Sequence, residues 1–375
     1  MRKITQVIDR FVGLDVHAAT IAVAVAERGG EVRFLGTIPN RTESVLKLVK
    51  KLNVEGAWKA CYEAGPTGYV LYWLLTKVGI PCQVIAPTLV PMKAGDRIKT
   101  DRRDALRLAQ SFRAGDLTPV WVPDAAHEAL RDLVRAREAA KQDQLRARHR
   151  LSKFLLRHGH RPSIKMTPWT GQYLQWIKTS VKFEQVAQQW TLEDYLGEVE
   201  HCGLRILRLE ASIDKAIETA PQAMREVIEA LQALRGIAKV SAVTIVAEVG
   251  QLSRFPTARQ FMGYSGTIPS EHSSGQSVRR GGITKTGNSH LRRIVVEAAW
   301  SQRHRPIVSR ELKLRLINVN AEVQEIATKA MHRLYNRYTR LTAREKTKQK
   351  VITAVARELL GFIWAIGVAI EQKAA

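Results

Sequence analysis

Apolar positions come in short runs over the first hundred residues and in long helical stripes afterwards. Residues 11–15 form an apolar run closed by Asp15, residues 20–26 a second β-rich run, and residues 31–38 a third, with Gly29 and Gly30 turning between the last two. Thr42 is placed to cap a helix through about residue 52, with Val45, Leu46, Leu48 and Val49 on its apolar positions. A fourth strand is predicted over 57–62, a helix over 69–78, and a fifth strand over 83–85, stopped by Pro87. From residue 126 the period changes to 3.6. Leu130, Leu133, Val134, Leu145, Leu151, Phe154 and Leu155 stripe one helix, and Leu204, Ile206, Leu207, Leu209 and Ile213 form the seam of another over 191–217.

Three antiparallel strands followed by helix, strand, helix and strand is the order of the ribonuclease-H-like fold, although the pattern alone also suits other α/β domains. Two acids stand at strand ends: Asp15 closes the first strand and Glu63 follows the fourth. In an open sheet, neighbouring ends of parallel strands are where ligands gather. Asp101 and Asp104 lie three residues apart in 100–114, where Ala105, Leu108, Ala109 and Phe112 keep a helical period, so both carboxylates can share a face. Four hard oxygen donors brought together suit Mg²⁺, with Mn²⁺ as an alternative, and two such ions stabilise both oxygens of a phosphoryl displacement. Taken singly, each acid is better read as a strand end or as the partner of Arg102, Arg103 or Arg107 on a solvated face. Only the set favours a site.

The two long stripes read as an antiparallel coiled-coil hairpin of the kind that pairs protomers, or as a bundle within one subunit. Between them, residues 160–182 hold Pro162, Pro168, Trp169 and Trp176, an excursion with no role legible in the sequence. Residues 234–249 resemble a helix-hairpin-helix unit, whose glycine turn offers backbone N–H groups to phosphate. A loop of small and basic residues follows. Arg279, Arg280, Lys285, Arg292 and Arg293 can supply charge to a phosphate backbone there. A serine in such a loop is either part of a turn or a nucleophile awaiting activation.

Charge narrows the partner class. With 59 Lys and Arg against 35 Asp and Glu, the formal net charge is +24, which favours nucleic acid over an anionic membrane. The most apolar run, 359–370, is too short to span a bilayer and reads as a buried helix. No signal-peptide core follows Met1. Cys61, Cys82 and Cys202 have no paired spacing, which points to a reducing cytoplasm and argues against zinc.

The spaced acids, the basic helical middle and the order Gly263–Pro269 (GYSGTIP), Ser274-Gly275, Ile283–Gly287 (ITKTG) and Leu291-Arg292-Arg293 resemble the insertion-sequence 110 family of DEDD transposases over nearly the whole chain. The resemblance implies a RuvC-like domain over 1–122 whose Asp, Glu, Asp, Asp set falls on Asp15, Glu63, Asp101 and Asp104. It further implies a helical coiled-coil and dimerisation region over 123–228, and a mainly helical transposase domain over 229–375 whose serine falls on Ser274. Ser273 precedes it, and the adjoining Gly275 is the reason for choosing Ser274. By the same resemblance, the enzyme is a bacterial or archaeal recombinase guided by a structured bridge RNA that pairs with donor and target DNA. Ser274 would form a phosphoserine link with Mg²⁺ held by the four carboxylates, in a composite site of two protomers within a tetramer. Two rivals remain from the residues alone: a RuvC-type nuclease or junction resolvase that uses water, and a non-catalytic nucleic-acid-binding protein.

Overall fold

The computed structural model describes residues 8–54, 56–91, 99–344 and 347–374, in two compact units, Met1–Val122 and Pro123–Ala375. In the first unit, β1 (Arg10–Val16), β2 (Thr20–Glu27) and β3 (Val32–Pro39) run antiparallel in succession. Helix α1 (Thr42–Asn53), β4 (Trp58–Glu63), α2 (Val70–Lys77), β5 (Cys82–Ile85) and α3 (Asp101–Ala114) follow. The sheet order is β3-β2-β1-β4-β5, with β1, β4 and β5 mutually parallel. Thr42 opens α1 instead of capping it; Arg41 takes the cap position without a side-chain bond. Strand β4 lies one residue later than its apolar run suggests, so Glu63 is its last residue and Asp15 the last but one of β1.

Side-chain alternation splits this sheet into two faces. Val12, Leu14, Tyr62 and Val84 enter a core with Val45, Val49, Leu71 and Leu75 of α1 and α2. The other face is lined with small residues, and Ala22, Ala24 and Ala26 pack on Ala105 and Ala109 of α3. Gly13 is required there. A Cβ on it would sit 2.4 Å from the Ala109 nitrogen and 2.5 Å from the Ala105 carbonyl, so α3 could not approach β1 this closely. Asp15 has the parity of Gly13, and Glu63 that of Cys61, which packs beside Leu108 and Phe112 of α3. Both acids therefore lie on the face that α3 covers.

The second unit is almost wholly helical. Helices α4 (Ala125–Arg157) and α6 (Val186–Glu218) pack along each other with α5 (Gly171–Ser180) between them in sequence. The pairs Arg137–Glu210 and Arg205–Asp143 advance along one helix while retreating along the other, so the hairpin is antiparallel. Its seam uses Val199, Cys202, Ile206 and Ile213 of α6, whereas Leu204 and Leu207 are 68% and 63% exposed. The expected stripe is thus divided: positions 199, 202, 206 and 213 follow the 3.6 period on one side, and 204 and 207 fall on the other.

Helices α7 (Gln222–Leu231), α8 (Lys239–Val249) and α9 (Ala258–Tyr264) lead to a small hairpin of β6 (Pro269–Glu271) and β7 (Arg280–Ile283). Then come α10 (Ser289–Ala299), α11 (Arg310–Ile317), α12 (Ala321–Thr342) and α13 (Lys348–Ala374). One core joins Leu130 and Val134 of α4 to α7, α8, α10, α12 and α13. Helix α13 is longer than its central apolar run and, by length and composition, could cross a membrane. Here it is a core helix: Val351, Val355, Leu359, Ile363 and Ile366 are fully buried in the unit.

Candidate active site

Three elements carry Asp15, Glu63, Asp101 and Asp104, and of these Asp15 and Asp101 come within ligand distance of each other together with His17. Leu14 and Tyr62 are partners across β1 and β4, so Asp15 and Glu63, the next residue on each strand, emerge side by side. Thr100 accepts a hydrogen bond from the Arg103 nitrogen and caps α3, which sets Asp101 and Asp104 in the first helical turn. His17, two residues beyond Asp15 and on the same face, was not singled out by sequence reasoning. Its Nε2 lies 3.3 Å from Asp15 Oδ2 and 3.5 Å from Asp101 Oδ1, and the ligand atoms of these three side chains fall within 4.8 Å of one another. Asp104 is buried and accepts from Arg107 Nη2 at 2.6 Å.

The carboxylates feel one another. Burial pushes the Asp15 carboxyl above its ordinary range; His17 pulls it down, and the charges of Asp104 and Asp101 raise it further. Burial also raises Glu63, which Arg107 and Lys99 lower and Asp104 and Asp15 raise. Half-buried carboxylates in this state are disfavoured as anions until a cation joins them. Hard oxygens with one imidazole are a donor set that a divalent cation can use. A cavity of about 750 Å³ opens beside Asp15, His17 and Glu63, with Arg41 and Lys99 on its wall.

Ser274 belongs to the second unit. Its N–H and carbonyl exchange hydrogen bonds with Ser277 at 3.1 and 3.0 Å, so Gly275 and Gln276 form a two-residue turn. Gly275 has φ +57°, a left-handed value that glycine adopts without strain. The two candidate serines differ. Ser273 donates its hydroxyl to Glu271 Oε1 at 2.8 Å, and Glu271 is also held by Arg280. The Ser274 hydroxyl has no hydrogen-bond partner among the described residues. Of the basic residues expected at phosphate, Arg279, Arg280 and Lys285 are exposed. Arg292 and Arg293 are turned inward by α10: Arg292 donates to the Ser265 and Thr286 carbonyls, and Arg293 pairs with Glu138 and Glu297.

The base of the serine loop is held by a residue that sequence reasoning missed. Glu248 of α8 is fully buried and receives two bonds from Arg135 of α4, at 2.7 and 2.9 Å, and one from Asn288 Nδ2 at 2.7 Å. Asn288 caps α10 where the loop returns, and Tyr264, where it departs, donates its hydroxyl to the Glu248 carbonyl. Beside it, Glu138 of α4 accepts from His290 at 2.6 Å. The signal was present in the sequence, since Glu248 is the sole acid of the apolar run Ile237–Val249 and such a group needs a cation.

A transposase family model with the DEDD signature matches residues 12–159, and the model of the transposase IS116/IS110/IS902 family matches 228–312. A Sinorhizobium fredii protein named as transposase y4qE is 43% identical over 362 residues, covering 96% of this chain and 88% of its own. The transposase for insertion sequence element IS1533 of Leptospira borgpetersenii is 31% identical over 346 residues, 90% of this chain and 97% of its own. The transposase for IS1111A of Coxiella burnetii is 22% identical over 298 residues, 77% of each chain. With acids converging from β1, β4 and α3 and a serine presented on a glycine turn, this chain belongs to the IS110 family of insertion-sequence transposases, enzymes of DNA strand transfer.

Proposed function

We propose that this transposase is an RNA-guided recombinase that exchanges DNA strands through a phosphoserine intermediate on Ser274, assisted by Mg²⁺ at Asp15, Glu63, Asp101 and Asp104. The observation that carries the reading is the convergence of these carboxylates at the ends of two parallel strands and one capped helix. The strand order β3-β2-β1-β4-β5 supports a ribonuclease-H-like, RuvC-like domain over 1–122, followed by a coiled-coil region over 123–228 and a transposase domain over 229–375. The net charge of +24 suits donor DNA, target DNA and a structured bridge RNA as partners. Exposed Leu204 and Leu207 on the outer side of α6 suit pairing of protomers into a dimer and then a tetramer.

In this reading the acids hold the cation, which supplies electrostatic stabilisation of charge on the transferring phosphate. Ser274 Oγ loses its proton and bonds to phosphorus as the bond to the adjoining nucleotide oxygen breaks and leaves a free hydroxyl. A hydroxyl of the incoming strand then attacks the phosphoserine and returns the serine. The ester keeps the energy of the broken phosphodiester, which attack by water would discard. Exposed Arg279 and Lys285 approach the phosphate backbone from the loop.

Denaturing electrophoresis with labelled DNA and Mg²⁺ tests the reading. Ser274→Ala abolishes both the protein–DNA adduct and recombination while DNA binding persists, and Ser273→Ala is milder. Unimpaired recombination by Ser274→Ala would refute the nucleophile. Cleavage by the wild type with no adduct under any trapping condition would instead favour the water-using nuclease.

A further inference from the structure

The far end of the α4–α6 hairpin carries features that the strand-transfer chemistry leaves unused. From residue 144 to 183 there is no acidic residue, while nine lysines and arginines occur. Arg146, Arg150, Lys153 and Arg157 recur at helical spacing on the exposed side of α4, opposite Ala147, Leu151 and Phe154, which face the hairpin's own apolar cluster. Some of this charge is spent locally, because Arg146 pairs with Asp143, and Lys178 with Glu200 of α6. Arg150, Lys153, Arg161, Lys165 and Lys182 are exposed and have no ion-pair partner among the described residues.

Aromatic rings are interleaved with these cations. Trp169, Tyr173 and Trp176 form a row with centroids 5.5 and 5.4 Å apart, and the Arg148 guanidinium lies over Trp169 at 5.3 Å. All three rings are half-buried, so each keeps part of its surface open. Trp169 also has φ +67°, a strained value for a side-chain-bearing residue, of the kind that concentrates at ligand-binding positions. A cationic stripe beside a row of partly open rings is the surface that binds single-stranded nucleic acid: phosphates follow the charge and unpaired bases stack on the rings. A duplex, whose bases are already stacked, would use only the charge.

We propose that residues 146–183 form a binding site for a single-stranded stretch of nucleic acid, with bases stacking on the Trp169–Tyr173–Trp176 row and phosphates on Arg150, Lys153 and Arg157. The inference takes only its partner class from the proposed function, and it assigns a ligand to a segment outside the strand-transfer machinery.

The test is fluorescence anisotropy of the full chain without divalent metal, using a labelled U-rich 12-nucleotide RNA, the matching DNA strand and a duplex of equal length. Two variants are compared with wild type. Tyr173→Leu/Trp176→Leu keeps apolar bulk but removes the π faces, and Arg150→Ala/Lys153→Ala/Arg157→Ala changes exposed residues only. The stacking variant should lose about 10-fold or more in single-strand affinity with duplex affinity unchanged. The charge variant should flatten the dependence of log affinity on log salt for single strands by about 2. A larger loss on RNA or on DNA identifies the strand and supports the site. Single-strand affinity within twofold of wild type for both variants overturns it, as does a stacking variant that weakens duplex and single strand equally. Because no cleavage is measured, either outcome leaves the carboxylate and serine assignments untouched.

Discussion

Asp15 and Glu63 of the first unit are held in the opposite way to Glu248 and Glu138 of the second. In the first, Asp15 and Glu63 are pushed above the ordinary carboxylate range by burial and by neighbouring acids, which the few nearby cations do not offset. In the second, Glu248 and Glu138 are more than compensated for burial: bonds from Arg135 and Asn288 hold the first below the ordinary range, and bonds from Arg293 and His290 the second. Glu248 and Glu138 already own their cations and are structural carboxylates. A carboxylate that is buried without enough of them is poised to take up a cation from solution, and this separates the candidate metal site from the frame of the serine loop.

The largest effect that would break this contrast is on chemistry. Asp15→Asn should lower Mg²⁺-dependent strand cleavage by on the order of 10²–10³, the scale set by losing one preorganised electrostatic group. The same change should raise the metal-free melting temperature, because it removes a disfavoured charge. A variant that cleaves at the wild-type rate, or melts lower without metal, would place Asp15 with the structural acids.

Glu248→Ala should act in the other direction. Removing a fully buried carboxylate takes one partner each from Arg135, Arg131 and Asn288, at a cost of about 3 kcal/mol, the lower end of the range for a broken buried pair because Arg135 can reach solvent. Denaturant unfolding measures the loss. Since Tyr264 and Asn288 bracket the serine loop, adduct formation by the folded fraction should fall more than DNA affinity. Equal stability of Glu248→Ala and wild type would remove Glu248 from the frame.

Much of the first unit was legible because its signals are local. Runs of alternating or apolar residues set the strands, and they place Asp15 and Glu63 at neighbouring strand ends. The role of Gly13 was not legible, since it depends on α3 returning across the sheet from ninety residues later. His17 stood in plain view, yet only the approach of Asp101 gives it a second partner. In the hairpin the period was readable but the side was not. Leu204 and Leu207 are as apolar as Ile206, and only the packing partner decides which faces inward. The inward turn of Arg293 likewise rests on Glu138, a residue of another helix, and that of Arg292 on the Ser265 and Thr286 carbonyls.

The smallest and sharpest test uses pH. Asp15 and Glu63 have raised folded-state values, so their contribution to stability is full below the ordinary carboxylate range and is lost as pH rises through the raised values. Glu248 and Glu138 have lowered values, so theirs is full above that range and is lost only as pH falls through the lowered ones. Without metal, the first unit should therefore lose melting temperature as pH rises from the ordinary carboxylate range towards neutrality. The second should hold steady over that window and weaken only in stronger acid. Mg²⁺ competes with protons for the same oxygens, so it should raise the melting of the first unit more at pH 7 than at pH 5 and leave the second unchanged. Hydrogen exchange followed separately on β1 and on α8 reads the two units in one sample. If β1 protection is insensitive to Mg²⁺ at pH 7, the raised carboxylates are not a cation site.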